Sequence, residues 1–213
     1  MIPQDVRSRI VEEKIIPVVR AASPELAMRA AEAICAGGIS VVEITMTVPG
    51  AIEIIRELRR SARMLVGAGT VVDAAIAQKC AEAGAQFLVT PGLDVPTLNF
   101  AKRAGLLIMP GTLTTGEILT AWKNGAVAAK IFPCGNLGGP SYIAKLKSAL
   151  PSIDMIPTGG VNLSNAAEFI RAGAIAVGVG GELVSSRALA GGDLAAIANA
   201  ARQFKTALAN AAD

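Results

Sequence analysis

Histidine is absent from all 213 residues. Ser-His-Asp and Cys-His catalysis are excluded with it, as are His-rich zinc sites. Proton chemistry falls to Glu, Asp, Lys, Tyr, Cys or a phosphate on the substrate. Aromatics make up only 3% of a chain that is 52% hydrophobic. Ala, Val, Ile and Leu must therefore build the core, which suits α/β architecture with branched residues in buried parallel strands. Cysteine is limited to Cys35, Cys80 and Cys134, an odd number with no CxxC spacing. Neither a disulfide framework nor a zinc site is indicated, and a reducing cytoplasm fits. No apolar run reaches the ~20 residues that span a bilayer, so no membrane partner is expected. The opening MIPQDVRSRIVEEK reads as a charged helix rather than a signal peptide. The 20 basic and 17 acidic residues leave a net charge of +3. The one basic cluster, Arg56, Arg59, Arg60 and Arg63, reads as the polar face and end of a helix. Nucleic acid is not an expected partner.

What is present alternates. Short β-rich runs occur at 15–19, 41–45, 64–68, 86–90, 106–109, 127–132, 154–157 and 175–180. Helical periodicity, with apolar residues at i, i+3 and i+4, covers 24–36, 50–62, 73–83, 95–104, 114–124, 140–149, 164–172 and 193–210. Capping signals stand at Ser23, Asp73, Asp94, Thr114 with Glu117, Ser164 and Asp193. Glycine closes several helices, at Gly37, Gly84, Gly105, Gly125 and Gly173. Eight βα units with an extra N-terminal helix match a (β/α)8 barrel near the lower limit of its length. No linker divides the chain, so residues 1–213 are expected to form one domain.

In such a barrel the active site lies at the C-terminal ends of the strands. Two strand residues then stand out. Lys130 sits in the apolar run VAAKIF, and alternation places it on one face with Ala128 and Phe132. Glu43, in VVEIT, shares a face with Val41 and Thr45. Both should point into the barrel from its sixth and second strands, whose side chains meet near the axis. A buried structural ion pair is one reading, although desolvation offsets the attraction in such pairs. Chemistry is the other. Burial lowers a lysine's pKa, and the neutral amine can attack a carbonyl to form a Schiff base. A neighbouring carboxylate would move the protons.

Glycine pairs follow the last two strands, Gly159-Gly160 in PTGGV and Gly180-Gly181 in VGVGGELV. Gly180-Gly181 is expected to open a short helical segment. Loops after strands seven and eight often bind phosphate in this fold, through backbone N–H groups that glycine leaves accessible. Gly138-Gly139 is a third pair, after the lysine strand. Thr70 and Pro91 at strand ends have simpler readings, as a helix cap and a turn. Tyr142 and Trp122 are expected to pack, and Cys134 has no evident activator.

These motifs resemble the 2-keto-3-deoxy-6-phosphogluconate aldolases, a family that includes 4-hydroxy-2-oxoglutarate aldolases. The resemblance runs through IIPVVR (15–20), GGISVVEITMTVP (37–49), VGAGTV (66–71), FLVTPG (87–92), MPGTLTTGE (109–117), KIFP (130–133) and PTGGVNL (157–163). It implies a class I aldolase on a (β/α)8 barrel, a cytoplasmic homotrimer of the Entner–Doudoroff pathway that needs no cofactor or metal. Its substrate would be a small keto-acid phosphate. The resemblance places the Schiff-base lysine on Lys130 and the catalytic glutamate on Glu43. Arg20, Thr70, Pro91 and Phe132 match substrate-binding positions, and Gly159-Gly160 matches the phosphate loop, with Gly180-Gly181 beside it. Thr47 stands where some members have an arginine, and Gly181 where many have a serine. The same chemistry on the galactonate epimer or on 4-hydroxy-2-oxoglutarate is an alternative. A phosphate-barrel epimerase and a non-catalytic scaffold are further rivals, neither of which uses an imine.

Overall fold

The computed structural model describes residues 2–61 and 63–211. Its strands are β1 (Ile15–Val19), β2 (Val41–Thr45), β3 (Leu65–Gly69), β4 (Phe87–Val89), β5 (Leu107–Met109), β6 (Gly111–Thr112), β7 (Ala128–Ile131), β8 (Asp154–Pro157) and β9 (Val177–Val179). All pairings between them are parallel, in the orders β5-β4-β3-β2-β1-β9 and β6-β7-β8. The two arcs join into a (β/α)8 barrel. A bridge between Thr158 and Gly178 links β8 to β9. On the other side β5 and β6 are two halves of one stave, separated only by Pro110, which has no N–H to give the ladder. The Pro110 carbonyl still accepts from the Lys130 amide at 3.0 Å.

Side-chain alternation divides the core. Outward residues such as Val19, Ile44, Ala68, Leu88, Ile131 and Val179 pack with the apolar faces of the surrounding helices. Inward residues Ile16, Val41, Leu65, Phe87, Leu107 and Ile156 form a second cluster, together with Val6 and Ile10 of α1 (Pro3–Glu13). Helix α1 thus closes the N-terminal mouth of the barrel. Fully burying each of those two aliphatics contributes about 1.5–3 kcal/mol. An ion pair fixes the plug, Arg7 to Asp154 at 2.6 Å. Only the C-terminal mouth remains for chemistry.

Three inward strand positions are glycine because a neighbour fills their space. A Cβ on Gly67 would lie 2.1 Å from the Phe87 ring, and one on Gly178 would lie 2.3 Å from Thr158 Oγ1. A Cβ on Gly69 would lie 1.8 Å from Glu43 Oε1.

The helices start largely where their caps foretell. Ser23, Asp73, Asp94 and Asp193 each accept from an amide three residues on. Thr114 and Glu117 form a reciprocal capping box. Ser164 departs from expectation. The Asn162 carboxamide oxygen accepts from the Ser164 and Asn165 amides instead, and the helix begins at Ala166. Gly180-Gly181 also departs. It opens a turn in which the Leu183 and Val184 amides donate to the Gly180 carbonyl, and the five-residue helix α9 (Ser186–Ala190) follows. Gly138 and Gly139 both take positive φ, at 106° and 58°, which only glycine adopts readily, so this pair shapes a turn. Trp122 is 49% exposed rather than packed, whereas the Tyr142 hydroxyl donates to the Leu113 carbonyl.

Candidate active site

The parity of β2 and β7 brings Glu43 and Lys130 to one narrow cavity at the barrel axis, with Ile16, Met109, Ile156 and Thr158 around them. Glu43 is 3% exposed and Lys130 5%. Among the described residues the Glu43 carboxyl and the Lys130 ammonium form no ion pair and no hydrogen bond, with each other or with any other group. Glu43 Oε1 is fully buried and lacks a partner. Lys130 Nζ lies 5.0 Å from the centroid of the Phe132 ring, a cation–π distance.

Burial dominates the titration of both groups. It pushes the Glu43 carboxyl above the usual carboxylate range, against the pull of the Lys130 and Arg20 charges. It pushes the Lys130 ammonium below the usual lysine range; the Arg20 charge adds to this and Glu43 opposes it. Each group is thereby driven toward its neutral form. Cys134 is buried, its thiol pushed up to about 12, so it supplies no thiolate.

Beside this cavity lies another of about 150 Å³, bordered by Arg20, Phe132, Thr158 and the two glycine pairs. Thr158 borders both, so the two spaces are contiguous. The amides of Gly159, Gly160, Gly180 and Gly181 make no hydrogen bond among the described residues. The Arg20 guanidinium makes none either, and a Cβ on Gly180 would lie 3.4 Å from its Nη1. Unclaimed amides beside an unclaimed guanidinium suit an anion. The first loop is built to hold its shape. Asn165 donates to the Gly160 carbonyl at 2.9 Å, and Gly135 donates to the Gly159 carbonyl at 2.8 Å.

The remaining sequence-derived residues surround the mouth. The Pro91 carbonyl lies over Gly111, the register partner of Lys130; a Cβ on Gly111 would be 2.4 Å from that oxygen. Thr70 follows Gly69 at the end of β3 with φ 57°, an unusual conformation for a β-branched residue. It does not cap the next helix, a role taken by Asp73. Thr47 is exposed and lines a cleft with Arg20, Ala21 and Ala22 that neither Lys130 nor Glu43 borders. Thr158 and Gly69 were not singled out from sequence. The polar Thr158 directly before a strand-end glycine pair was the available signal. Another cavity, of about 380 Å³ between α2 (Pro24–Ala36) and α3 (Ala51–Ser61), has no part in this arrangement.

No three His, Cys, Asp or Glu side chains among the described residues cluster so as to hold a metal ion. No described helix is long and apolar enough to cross a membrane.

A family model described as KDPG and KHG aldolase matches residues 6–200. The chain is 33% identical over 191 residues to the 2-dehydro-3-deoxy-phosphogluconate aldolase of Treponema pallidum, covering 89% of this chain and 91% of that protein. It is 30% identical to the KHG/KDPG aldolase of Escherichia coli strain K12, over 89% of each. Among solved structures, the KDPG aldolase from Legionella pneumophila, with pyruvate captured as a covalent carbinolamine, superposes with a TM-score of 0.87. That match has 27% identity and covers 93% of this chain and 97% of the other. Likeness of this extent runs through every stave of the barrel and both loops at its mouth: the chain belongs to the KDPG and KHG aldolase family.

Proposed function

We propose that this aldolase cleaves 2-keto-3-deoxy-6-phosphogluconate reversibly to pyruvate and glyceraldehyde 3-phosphate through an imine on Lys130. The neutral Lys130 amine attacks the C2 carbonyl, and the carbinolamine loses water to give an iminium ion. Loss of the C4 hydroxyl proton breaks the C3–C4 bond. The electron pair enters the iminium system as an enamine, and the aldehyde departs. Protonation at C3 and hydrolysis release pyruvate and restore the amine. Glu43 transfers the protons. Arg20, Thr70 and Pro91 border the pyruvyl part, and Phe132 flanks the amine. The Gly159-Gly160 and Gly180-Gly181 amides receive the phosphate. Lysine and glutamate suffice for this chemistry, so no metal or organic cofactor enters it.

The observation that carries the reading is the buried lysine and glutamate that share a cavity without pairing. The anion-receptive loops beside them support a phosphorylated substrate. The carbinolamine in the Legionella relative supports the imine chemistry. The whole chain is read as one barrel domain and as a homotrimer, on the strength of the family resemblance. The cytoplasm is taken as its compartment, supported by three free cysteines, two of them buried.

Incubation with pyruvate and borohydride, followed by intact mass and peptide mapping, tests the reading. A reduced pyruvate adduct on Lys130 is expected. A protein that remains unmodified sinks the imine mechanism.

A further inference from the structure

Glu43 and Lys130 belong to different arcs of the barrel. Glu43 lies on β2, within the six-stranded arc, and Lys130 on β7, within the three-stranded one. How they face each other across the cavity depends on the two seams where the arcs meet. One seam is the backbone bridge between Thr158 and Gly178. The other lies between β4 and β6, which share no backbone ladder among the described residues. The ladder of β4 with β5 ends at Val89 and Met109, and Pro110 then has no N–H to continue it.

A side chain closes this second seam. The Thr90 hydroxyl, directly after β4, accepts from the Gly111 amide at 3.1 Å and donates to the Gly92 carbonyl at 2.5 Å. Its one proton and a lone pair are both committed. The bond to Gly92 is a local one of the kind that shapes turns, and it fixes the Pro91 turn. The bond from Gly111 crosses the seam and takes the place of a ladder rung. Gly111 is buried and is the register partner of Lys130. Thr90 itself is 1% exposed and borders neither the lysine cavity nor the glycine-lined one. Any effect it has on the chemistry must therefore pass through the seam.

Resting on the aldolase reading, we propose that Thr90 is a positioning residue for the reaction. Its hydroxyl latches the arc that carries Lys130 to the arc that carries Glu43, and so holds amine and carboxyl at the spacing that carbon–carbon cleavage needs. The glycine loops flank the opposite seam, so the phosphate end of the substrate is outside its influence.

The test compares Thr90→Val with Thr90→Ser. Valine keeps the shape but leaves the buried Gly111 amide unpaired; serine keeps both hydrogen bonds and loses only the methyl. Cleavage of 2-keto-3-deoxy-6-phosphogluconate is followed per folded protein, well below each variant's melting temperature. Misplacing a reacting group by about 1 Å costs on the order of 10² in rate, so kcat of Thr90→Val is expected to fall by about 10- to 100-fold. KM should move less, and Thr90→Ser should retain kcat even where it melts lower. A merely structural threonine would lower the melting temperature of both variants and leave kcat unmoved. An unmoved kcat in folded Thr90→Val overturns the proposal, as does an equal fall in Thr90→Ser. Should the valine variant fail to fold, Thr90→Ala, which sets no methyl against the Gly111 amide, is read in the same way. Trapping of pyruvate by the unaltered protein is the control. Its failure overturns the aldolase reading, and this inference with it; its success beside an unmoved kcat overturns this inference alone.

Discussion

Replacing Gly69 by alanine should cripple catalysis while leaving the barrel folded. Gly69 ends β3 on the inward face, and the Glu43 side chain lies directly over it. A new Cβ would stand 1.8 Å from Oε1, 2.4 Å from Cδ and 2.6 Å from Cγ. To reach ordinary contact at 3.4 Å, the carboxylate oxygen must retreat by roughly 1.6 Å. Misplacing a reacting group by about 1 Å costs on the order of 10² in rate, and losing a general acid–base costs about 10²–10⁴. A fall in kcat of about 10²-fold or more is therefore expected. The backbone at Gly69 does not have positive φ, so alanine adds no conformational strain there. Overpacking typically costs about 1–3 kcal/mol, and the yielding group here is a flexible side chain, so the low end applies. Gly67→Ala supplies the contrast. Its Cβ would meet the fully buried Phe87 ring at 2.1 Å, and a ring held in a packed core has nowhere to go. That variant should lose stability toward the upper end of the range. Urea denaturation gives the two stabilities, and coupled measurement of pyruvate release gives kcat. A Gly69→Ala protein that is folded and keeps full kcat would refute the placement of Glu43 in the proton transfers.

Three further outcomes follow from the same geometry. Lys130 has a lowered folded pKa, so the unfolded chain binds more protons between that value and the usual lysine range; this contribution to stability grows with pH and is lost as pH falls through the folded pKa. Glu43 is raised, so its contribution is present below the usual carboxylate pKa and is lost as pH rises through the folded value. Lys130→Met should abolish cleavage and raise the melting temperature at neutral pH. Pyruvate trapping should follow a bell in pH, rising as Lys130 loses its proton and falling as Glu43 does; a rise only near the usual lysine pKa of about 10.4 would contradict the burial argument. Gly181→Ser is expected to strengthen binding of a phosphorylated substrate by about 1.5–3 kcal/mol at best, read as a lower KM, because a Cβ there meets nothing within 4 Å. An unchanged KM would place the phosphate elsewhere.

The barrel was legible because its signals are local. Strand and helix alternate with sharp caps, and β1, β2 and β8 occupy the residues that composition suggested. The break at Pro110 and the five-residue α9 were not legible. The first needs knowledge of a shared stave, and the second is too short to show a period. The inward glycines were hidden for a different reason. LVGAG reads as a weak strand, and the purpose of its glycines depends on residues far away in sequence, Phe87 for Gly67 and Glu43 for Gly69. Gly160 has a double purpose that sequence could not separate. It borders the anion cavity, and a Cβ on it would also lie 2.8 Å from the Gly135 backbone. Trp122 was misjudged because one aromatic on a helix does not declare its face.

Lys130 and Glu43 were legible as individuals, since each is a charge in an apolar strand. Their relation was not. An ion pair kept for stability should be in contact and surrounded by further hydrogen bonds, because only then does attraction offset desolvation. Here no such contact exists, and Oε1 of the glutamate is orphaned. For both groups burial outweighs the mutual attraction, so each moves toward neutrality. As a structural device the arrangement is poor. A neutral amine beside a protonated acid is also what imine formation requires, one group to attack a carbonyl and the other to protonate the departing hydroxyl. The feature that makes the pair costly to fold is the feature that makes it reactive.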